Sequence, residues 1–233
     1  MKRFGVLGGI SAQATMDFEA RVHRVSQQLI PQHGNRGYPP MVVWYHRRPP
    51  IRMHADARPF EPREIDPELV EAARWLGKAV DFIVIPCNAA HVGAAAIRDA
   101  AGCPVLSMID LTVDEVTRRG CRRVGVTGFA GAPAVYLDPL RQRGIQCATI
   151  DVLAQAPLDA AIHAVAEGRE GPAHVGAARA AVGALRAQAV DGIILGCTEI
   201  PLLLEANGLQ PDLVNPAALL AEAAVRFAIE EVK

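Results

Sequence analysis

The sequence predicts an α/β protein with two pseudo-symmetric domains, each built around a parallel β-sheet. Short runs of Val, Ile and Leu alternate with Ala-rich stretches along the chain. Continuous apolar strands separated by helices are typical of parallel sheets that are buried on both faces. Of the 233 residues, 51% are hydrophobic and 21% are charged, so the chain can form a sizeable core. Segments of the first half also recur in the second half, which favours a duplicated domain.

The predicted elements follow one another in a regular alternation. Each strand is a short apolar run bounded by Gly, Pro or polar residues, and the strands are Arg3–Leu7, Met41–Tyr45, Phe82–Pro86, Val105–Met108, Arg123–Thr127, Cys147–Val152, Gly192–Gly196 and Leu213–Val214. The helices between and after them are Ala14–Leu29, Pro67–Ala79, Val92–Ala100, Leu111–Arg119, Ala132–Arg143, Leu158–Ala166, Ala173–Gln188 and Pro216–Glu231.

Two pairs of matching segments indicate the duplication. Residues 3–8 (RFGVLG) match residues 123–128 (RVGVTG), and residues 81–87 (DFIVIPC) match residues 191–197 (DGIILGC). Each member of the second pair ends in a cysteine at the carboxyl end of a predicted strand.

The duplication predicts the domain boundaries. We expect an N-terminal α/β domain of residues 1–109 plus 213–233, which carries Cys87. Residues 110–212 then form the second domain, which carries Cys197. Ligands of open α/β sheets bind outside the carboxyl ends of the strands, so two such domains facing each other would place both cysteines across one interdomain active-site cleft.

Two thiols on opposite faces of one carbon suit a proton-transfer reaction that inverts that carbon. One, as thiolate, removes a proton, and the other, as thiol, donates a proton to the opposite face. A thiol has a reference pKa of about 8.5, so both forms are accessible near neutral pH. The residues that directly follow each cysteine, Asn88 and Thr198, can donate hydrogen bonds to a substrate carboxylate or enolate.

Further polar residues near the cysteines have two readings each. His91 follows Cys87 at helical i, i+4 spacing, so it either lies near the site or caps a surface helix. Glu199 either binds the substrate amine or serves as a first-turn acid of the next helix. The glycines Gly8 and Gly9 follow the first strand and would let the backbone approach a small anionic substrate.

Composition and motifs exclude several other classes. With Lys+Arg 24 and Asp+Glu 25, the net charge of −1 argues against a nucleic-acid partner. The five cysteines are unevenly spaced without a CxxC pair, which favours free thiols in a reducing, cytoplasmic compartment. No stretch reaches the roughly 20 apolar residues of a membrane span. The scattered histidines predict no metal site, and the N-terminal glycines do not form the GxGxxG pattern of dinucleotide binding.

The motifs resemble those of the cofactor-independent aspartate/glutamate racemase superfamily. The similar pieces are GVLGGISAQAT (5–15), PCNAAH (86–91), GCTEIPLLL (196–204) and, more weakly, LVNPAALLAEAA (213–224). They span nearly the whole chain in the expected order. The resemblance implies two α/β domains with an active site between them, no pyridoxal phosphate or other cofactor, and often a homodimer.

The resemblance also assigns residues. The two catalytic cysteines of the superfamily correspond to Cys87 and Cys197. From their chemistry and their places beside the cysteines or in the N-terminal turn, rather than from the resemblance, we expect the substrate to be bound by Gly8, Gly9, Thr15, Asn88, Ala89, Thr198 and Glu199, with His91 as an auxiliary group.

Several hydroxyl groups and charges of the superfamily pattern are replaced in this chain. Ala89 stands where a threonine is usual, and residues 128–132 (GFAGA) lack both threonines of the usual loop. A carboxylate-binding arginine has no clean counterpart, and the arginine-rich tract that follows the second strand offers Arg48 and Arg52 as the better candidates for a bidentate clamp. Retained cysteines with altered binding groups favour proton transfer on a substrate other than plain aspartate.

Three functions remain open at this point. The leading one is an amino-acid racemase that uses two cysteines as its acid and base. The second keeps the fold and is an isomerase or decarboxylase of a small dicarboxylic acid, as in maleate isomerases and arylmalonate decarboxylases, which resemble the same superfamily. The third is a small-acid binding protein without catalytic activity.

Overall fold

The computed structural model describes residues 1–34, 36–55, 59–204 and 210–230. The chain divides into two compact units. Unit 1 consists of Met1–Met108 and Ala217–Lys233, and unit 2 consists of Ile109–Pro216. Each unit has its own parallel sheet, and each is described by itself below.

The described part of unit 1 contains a four-stranded parallel sheet with the order β2-β1-β3-β4. Its strands are β1 (Phe4–Gly8), β2 (Met41–Tyr45), β3 (Phe82–Val84) and β4 (Val105–Leu106). The accompanying helices are α1 (Ala12–Leu29), α2 (Pro67–Gly77), a 3₁₀ helix (Ala89–Gly93), α3 (Ala94–Ala101) and the C-terminal α9 (Pro216–Ile229). The side chains of β1 and β3 are fully buried, as expected of central strands covered on both faces.

The described part of unit 2 repeats this arrangement, with the sheet order β6-β5-β7-β8. Its strands are β5 (Arg123–Thr127), β6 (Gln146–Thr149), β7 (Gly192–Leu195) and β8 (Leu213–Val214). Its helices are α4 (Met108–Arg118), which begins at the last residue of unit 1, α5 (Ala134–Gln142), α6 (Val152–Ala166), α7 (Pro172–Arg186) and α8 (Ile200–Leu204).

The sequence repeat corresponds to equivalent contacts in the two units. The Asp81 carboxylate accepts a hydrogen bond from the backbone N–H of Arg3 at 2.6 Å, and the Asp191 carboxylate accepts one from that of Arg123 at 2.8 Å. These backbone hydrogen bonds hold the pKa of both carboxyl groups below the usual range. An aspartate therefore ties the start of the first strand to the start of the third in each unit.

Local signals in the sequence explain where helices begin and end. Ser11 caps α1 by accepting a hydrogen bond from the Ala14 N–H, and Asp66 caps α2. Helix α3 ends at Gly102, which adopts the left-handed conformation with φ of 64°.

The prediction of two parallel-sheet α/β units is confirmed, and several boundaries are corrected. The strand predicted at Cys147–Val152 ends at Thr149, because Asp151 caps a helix that starts at Val152 and continues through Pro157. The segment Val105–Met108 was expected to be a strand, but only Val105–Leu106 pairs and α4 begins at Met108. The short helix α8 was not predicted, since five residues show too little periodicity.

One strand lies in a different sheet from the one expected. Leu213–Val214 was assigned to the N-terminal domain, yet β8 pairs with β7 in the sheet of unit 2. The chain returns to unit 1 only at Ala217. The sequence repeat agrees with this pairing, because β4 lies at the edge of the first sheet next to β3 just as β8 lies at the edge of the second sheet next to β7.

Candidate active site

Cys87 lies just beyond the carboxyl end of β3, on the loop that leads into the 3₁₀ helix. Its backbone N–H donates to the carbonyl of Ile85 at 2.8 Å, which turns the chain sharply after the strand. The cysteine is half-buried and packs against the apolar cluster formed by α2, α3 and β3. Asn88 is buried beside it, and Ala89 begins the 3₁₀ helix.

His91 holds this loop in place through both of its ring nitrogens. The backbone N–H of Met108 donates to Nε2 at 3.1 Å, and Nδ1 lies 2.9 Å from the carbonyl oxygen of Cys87. Since an amide N–H can only donate, Nε2 must accept, and the hydrogen is therefore on Nδ1, which donates to the Cys87 carbonyl. The neutral imidazole thus connects the Cys87 backbone to the start of α4.

The turn between β1 and α1 lies next to β3 in the sheet, since β1 and β3 are hydrogen-bonded neighbours. Thr15 is buried in the first turn of α1, where its hydroxyl accepts from the Gly9 N–H and donates to the Ser11 carbonyl, both at 2.8 Å. Gly9 has φ of 70°, and a Cβ there would lie 2.2 Å from Cα of Tyr45. Only glycine fits this position, because both the conformation and the close approach exclude a side chain.

The chain continues to pair beyond the end of β2. The N–H of His46 donates to the Gly8 carbonyl and the N–H of Arg47 to the Gly9 carbonyl, both at 2.9 Å. The arginine-rich tract therefore begins at the carboxyl edge of the sheet, adjacent to the Gly9 turn.

The two arginines predicted as a carboxylate clamp both contact carboxylates of unit 1. Arg48 forms ion pairs with Asp66 and Glu68, and Arg52 pairs with Glu64. The neighbouring Glu68 carboxylate raises the pKa of Arg48 further above its usual range. Each of these arginines therefore already pairs with at least one carboxylate of unit 1.

Cys197 occupies the equivalent position in unit 2, directly after β7. Gly196 precedes it, and a Cβ at Gly196 would lie 2.4 Å from the carbonyl oxygen of Thr127 at the end of β5. The close contact between the two strand ends requires glycine and fixes where the cysteine emerges. Cys197 is half-buried, and Thr198 and Glu199 are buried.

The carboxylate of Glu199 accepts two hydrogen bonds from its neighbours. Oε2 lies 2.9 Å from Sγ of Cys197 and 3.2 Å from the hydroxyl oxygen of Thr198. Glu199 is 6% exposed. A thiol next to a buried carboxylate can pass its proton to that carboxylate and become a thiolate.

The structure brings the predicted residues together in two groups. In unit 1 the turn with Gly8, Gly9 and Thr15 follows β1, and the loop with Cys87, Asn88, Ala89 and His91 follows β3, its neighbour in the sheet. In unit 2 the group is Cys197, Thr198 and Glu199. Sequence reasoning missed the contact of Glu199 with the thiol and the double hydrogen bond of His91, although both residues were singled out by their spacing from a cysteine.

Two features are absent from the described residues. None of the described helices is long and apolar enough to cross a membrane. Within the same residues, no group of three or more His, Cys, Asp and Glu side chains is arranged to hold a metal ion.

Comparisons with known proteins identify a family and a relative. The sequence model of the Asp/Glu/Hydantoin racemase family matches residues 7–224. A broad specificity amino-acid racemase, RacX of Bacillus subtilis (strain 168), is 27% identical over 226 residues, which cover 95% of this chain and 96% of the relative.

Solved structures share the fold. The aspartate racemase of Picrophilus torridus has a TM-score of 0.75 at 21% identity, with 100% of this chain and 96% of that chain covered. An aspartate racemase homologue from Pyrococcus horikoshii OT3 also has a TM-score of 0.75, at 20% identity, with 99% and 100% covered.

Proposed function

Since the chain belongs to the Asp/Glu/Hydantoin racemase family and is therefore a racemase, we propose that it inverts the α-carbon of an amino acid by proton transfer between Cys87 and Cys197. The observation that carries this proposal is the equivalent placement of the two thiols, each of which is half-buried just beyond the carboxyl end of β3 or β7. No cofactor takes part in the proposed reaction.

The reaction needs one thiolate and one thiol. The thiolate sulfur takes the α-proton, so that an S–H bond forms while the Cα–H bond breaks. The opposite thiol then gives its proton to the other face of the same carbon, and the amino acid leaves with inverted configuration. The proton count is unchanged, with each turnover exchanging the roles of the two sulfurs.

Glu199 serves Cys197 in this scheme. The hydrogen bond from Sγ to Oε2 provides a route along which the thiol proton moves to the carboxylate, leaving the thiolate that attacks the α-proton. When Cys197 acts as the acid, its thiol gives up the proton that it took from the α-carbon in the preceding turnover, while Glu199 keeps its own proton. Thr198 orients the carboxylate by its own hydrogen bond.

The remaining predicted residues hold the substrate or the loops around it. Gly8, Gly9 and Thr15 shape the turn whose backbone approaches the substrate, and Asn88 and Ala89 line the Cys87 loop. His91 positions the Cys87 backbone through its two hydrogen bonds.

We propose an amino acid other than plain aspartate as the substrate. The guanidinium groups of Arg48 and Arg52 are paired with carboxylates, which leaves them less able to bind a second carboxylate on the substrate side chain. The broad specificity of the relative from Bacillus subtilis supports a binding site that does not demand an acidic side chain.

We also propose a cytoplasmic location, a small-molecule partner and a homodimer. Five free thiols fit a reducing, cytoplasmic location, and a net charge of −1 fits a small-molecule partner better than nucleic acid. A homodimer follows the superfamily resemblance. Sedimentation would test the dimer, and a monomer at working concentration would contradict it.

The experiment that tests the proposal is α-proton exchange in D2O, followed by NMR without added cofactor. Both enantiomers of aspartate, glutamate and a panel of neutral and basic amino acids are incubated with the reduced protein. We expect loss of the α-proton signal from both enantiomers of the same amino acid. A folded, reduced protein that leaves every panel member unexchanged would contradict the proposal and favour the dicarboxylate or binding alternatives.

Single cysteine variants make the test specific to the two thiols. Cys87→Ser and Cys197→Ser should each lower racemisation by at least about 100-fold, the scale of a lost general acid or base. The matched controls are Cys103→Ser and Cys147→Ser, which change half-buried thiols elsewhere in the same two units. Full activity in either Cys87→Ser or Cys197→Ser would rule out the two-cysteine mechanism.

A further inference from the structure

Strand β2 lies at the edge of the unit 1 sheet and leaves half of its backbone groups unpaired. The N–H of His46 donates to the Gly8 carbonyl, so the even-numbered residues of this parallel pair face β1. The N–H and C=O groups of Met41, Val43 and Tyr45 therefore point outward, and within the described part of the chain no hydrogen bond reaches them. Edge strands of monomeric proteins usually carry charges or prolines that prevent further pairing. The sequence of β2, MVVWY, contains neither.

The exposed side chains of β2 lie on the face of the sheet that α2 covers. Val42 is in register with Gly5 of β1, and a Cβ at Gly5 would touch the Leu76 side chain of α2. Because residues in register point to the same face of a sheet and side chains alternate along a strand, Val42 and Trp44 both lie on the α2 face. Their side chains remain 44% and 42% exposed.

Trp75 extends this exposed surface on the flank of α2. Gly77 packs closely against the backbone of α3, and α3 contacts β4 at the opposite edge of the sheet. Successive helix residues are about 100° apart, and Leu76 faces the sheet, so Trp75 lies on the flank that faces away from α3 and towards β2. It is 59% exposed. Val42, Trp44 and Trp75 form what we call the β2 patch, which contains both tryptophans of the chain.

We propose that the β2 patch binds a second copy of this chain, with the two β2 strands paired antiparallel about a two-fold axis at Val43. The inference rests on the homodimer of the proposed function and specifies its interface. The outward groups of Val43 then pair with those of the second Val43, and Met41 pairs with Tyr45. Val42 lies opposite Trp44 in a non-hydrogen-bonded pair, where cross-strand side chains are closest. An aromatic ring opposite a β-branched residue is a favourable pair of this kind.

The charges of α2 are complementary under the same symmetry. Glu68 in the first turn of α2 pairs with Arg48, which follows β2, and Lys78 at the other end of the helix has its ammonium 4.7 Å from the centre of the Trp75 ring. Helix α2 thus runs antiparallel to β2, and the two-fold axis makes the two α2 helices antiparallel to each other. The acidic start of each helix then lies along the basic end of its copy. Among the described residues Lys78 has no carboxylate at ion-pair distance, and the exposed Glu68 of the second copy is the complementary charge.

The size of the β2 patch agrees with an interface of this type. The two tryptophans together expose about as much surface as one whole tryptophan side chain, about 250 Å². A stable interface buries about 800 Å² of each partner, so the tryptophans supply roughly a third of it. Tryptophan is also among the residues most enriched at the positions that dominate binding energy.

Sedimentation of the reduced full chain tests the interface through a charge-pair series. The double variant with Val42→Lys and Trp44→Lys places like charges opposite each other in both cross-strand pairs. We expect its dimer Kd to be at least about 100-fold higher than that of the parent chain. Lysine is common on natural edge strands, so far-UV circular dichroism should show the parent fold.

A second variant tests the register. Val42→Glu with Trp44→Lys places opposite charges in the same two pairs and should lower the Kd at least about 10-fold relative to the double-lysine variant. The rescue requires residue 42 of one chain to face residue 44 of the other. The matched control is Val152→Lys with Leu153→Lys, which adds the same two charges to side chains of α6 that are 84% and 86% exposed. It should leave the dimer unchanged.

The outcomes separate this inference from the proposed reaction. A parent chain that is monomeric at every concentration tested overturns it and leaves β2 to a different protein. A dimer that the double-lysine variant leaves intact, or that only the α6 control dissociates, has its interface elsewhere and also overturns it. A dimer that shows both the disruption and the rescue but exchanges no α-proton retains this interface, and only the racemase proposal fails.

Discussion

The thiol of Cys197 donates a hydrogen bond to the carboxylate of Glu199, with Sγ and Oε2 2.9 Å apart. The two residues are separated by Thr198, which donates to the same oxygen. Because Glu199 is almost fully buried, its carboxylate is shielded from water and faces the adjacent thiol. The carboxylate is therefore placed to exchange a proton with the sulfur rather than to interact with solvent.

The substitution Glu199→Gln should lower kcat by about 10- to 100-fold with little change in KM. Glutamine keeps the size and an acceptor oxygen, but it has no charge and cannot take the thiol proton, which removes general-base assistance. Steady-state racemisation of the amino acid identified in the exchange panel measures both constants.

The matched control for this substitution lies on α9. Glu222→Gln changes an exposed glutamate of α9 that pairs with Arg226, and both constants should stay at the parent values. A rise in KM with unchanged kcat would instead assign Glu199 to the substrate amine, the role that its spacing from Cys197 had suggested.

The fold was predictable because strand burial leaves a strong trace in the sequence. The central strands β1 and β3 are apolar on both faces, and the repeat of Asp81 and Asp191 marks the same backbone contact in both units. The positions of the site residues were predictable, because the carboxyl ends of parallel strands lie at the same edge of a sheet. Their partners were not, since a hydrogen bond such as Cys197 to Glu199 depends on rotamers that spacing does not specify.

The different contacts of the arginines that follow β2 could not be predicted from the sequence. By sequence, Arg47, Arg48 and Arg52 belong to one polar loop, in which Arg48 and Arg52 were the favoured candidates. Arg48 and Arg52 pair with carboxylates that lie 12 or more residues later in the chain, and such non-local pairs have no periodic signature. The left-handed backbone of Arg47 depends on its hydrogen bond to Gly9 and is equally invisible in a composition or motif.

Replacement of His91 by phenylalanine should destabilise the protein by about 1–3 kcal/mol. The variant leaves the Cys87 carbonyl and the Met108 N–H without their imidazole partners, and unpaired polar groups in a partly buried site cost on this scale. Urea unfolding measures the change.

The matched control for this variant is His23→Phe. His23 is exposed and contacts the carbonyl of Glu19 in its own helix, so its replacement should shift the urea midpoint much less. Equal shifts for both histidines would show that His91 does not brace the Cys87 loop.

Gly9, in the turn after β1, is packed closely against the end of β2. Gly9→Ala should destabilise the protein by more than about 3 kcal/mol, because the new Cβ would lie 2.2 Å from Cα of Tyr45 and the backbone must shift. Gly102→Ala is the matched control, since Gly102 has φ of 64° with nothing within 4 Å of the added atom.

The difference between these two variants isolates the contact from the conformation. Both replacements carry the cost of a left-handed alanine, about 1 kcal/mol, and only Gly9→Ala adds the collision. Denaturant unfolding of the two should therefore differ by roughly 2 kcal/mol or more. Similar losses of stability would mean that the Gly9 turn moves freely away from Tyr45.

The pH dependence of stability should include a contribution from Glu115 on α4. Hydrogen bonds from Arg118, with those from Arg119, lower the pKa of the Glu115 carboxyl group to about 2. In the unfolded chain a glutamate has a pKa of about 4.3. Because the folded pKa is lower, the stabilisation is fully present above the unfolded value and is lost as the pH falls through 4 towards 2.

The measurement compares the parent chain with Glu115→Gln at several pH values. At pH 6 the parent should be more stable in urea by at most about 1 kcal/mol, since the exposed Arg118 is screened by solvent. The difference should shrink steadily below pH 4. In a background with Arg118→Gln and Arg119→Gln the pH dependence of this difference should disappear, because the cause of the lowered pKa is gone. A gap between parent and Glu115→Gln that stays constant from pH 6 to pH 3 would show that the ion pairs do not stabilise the folded chain.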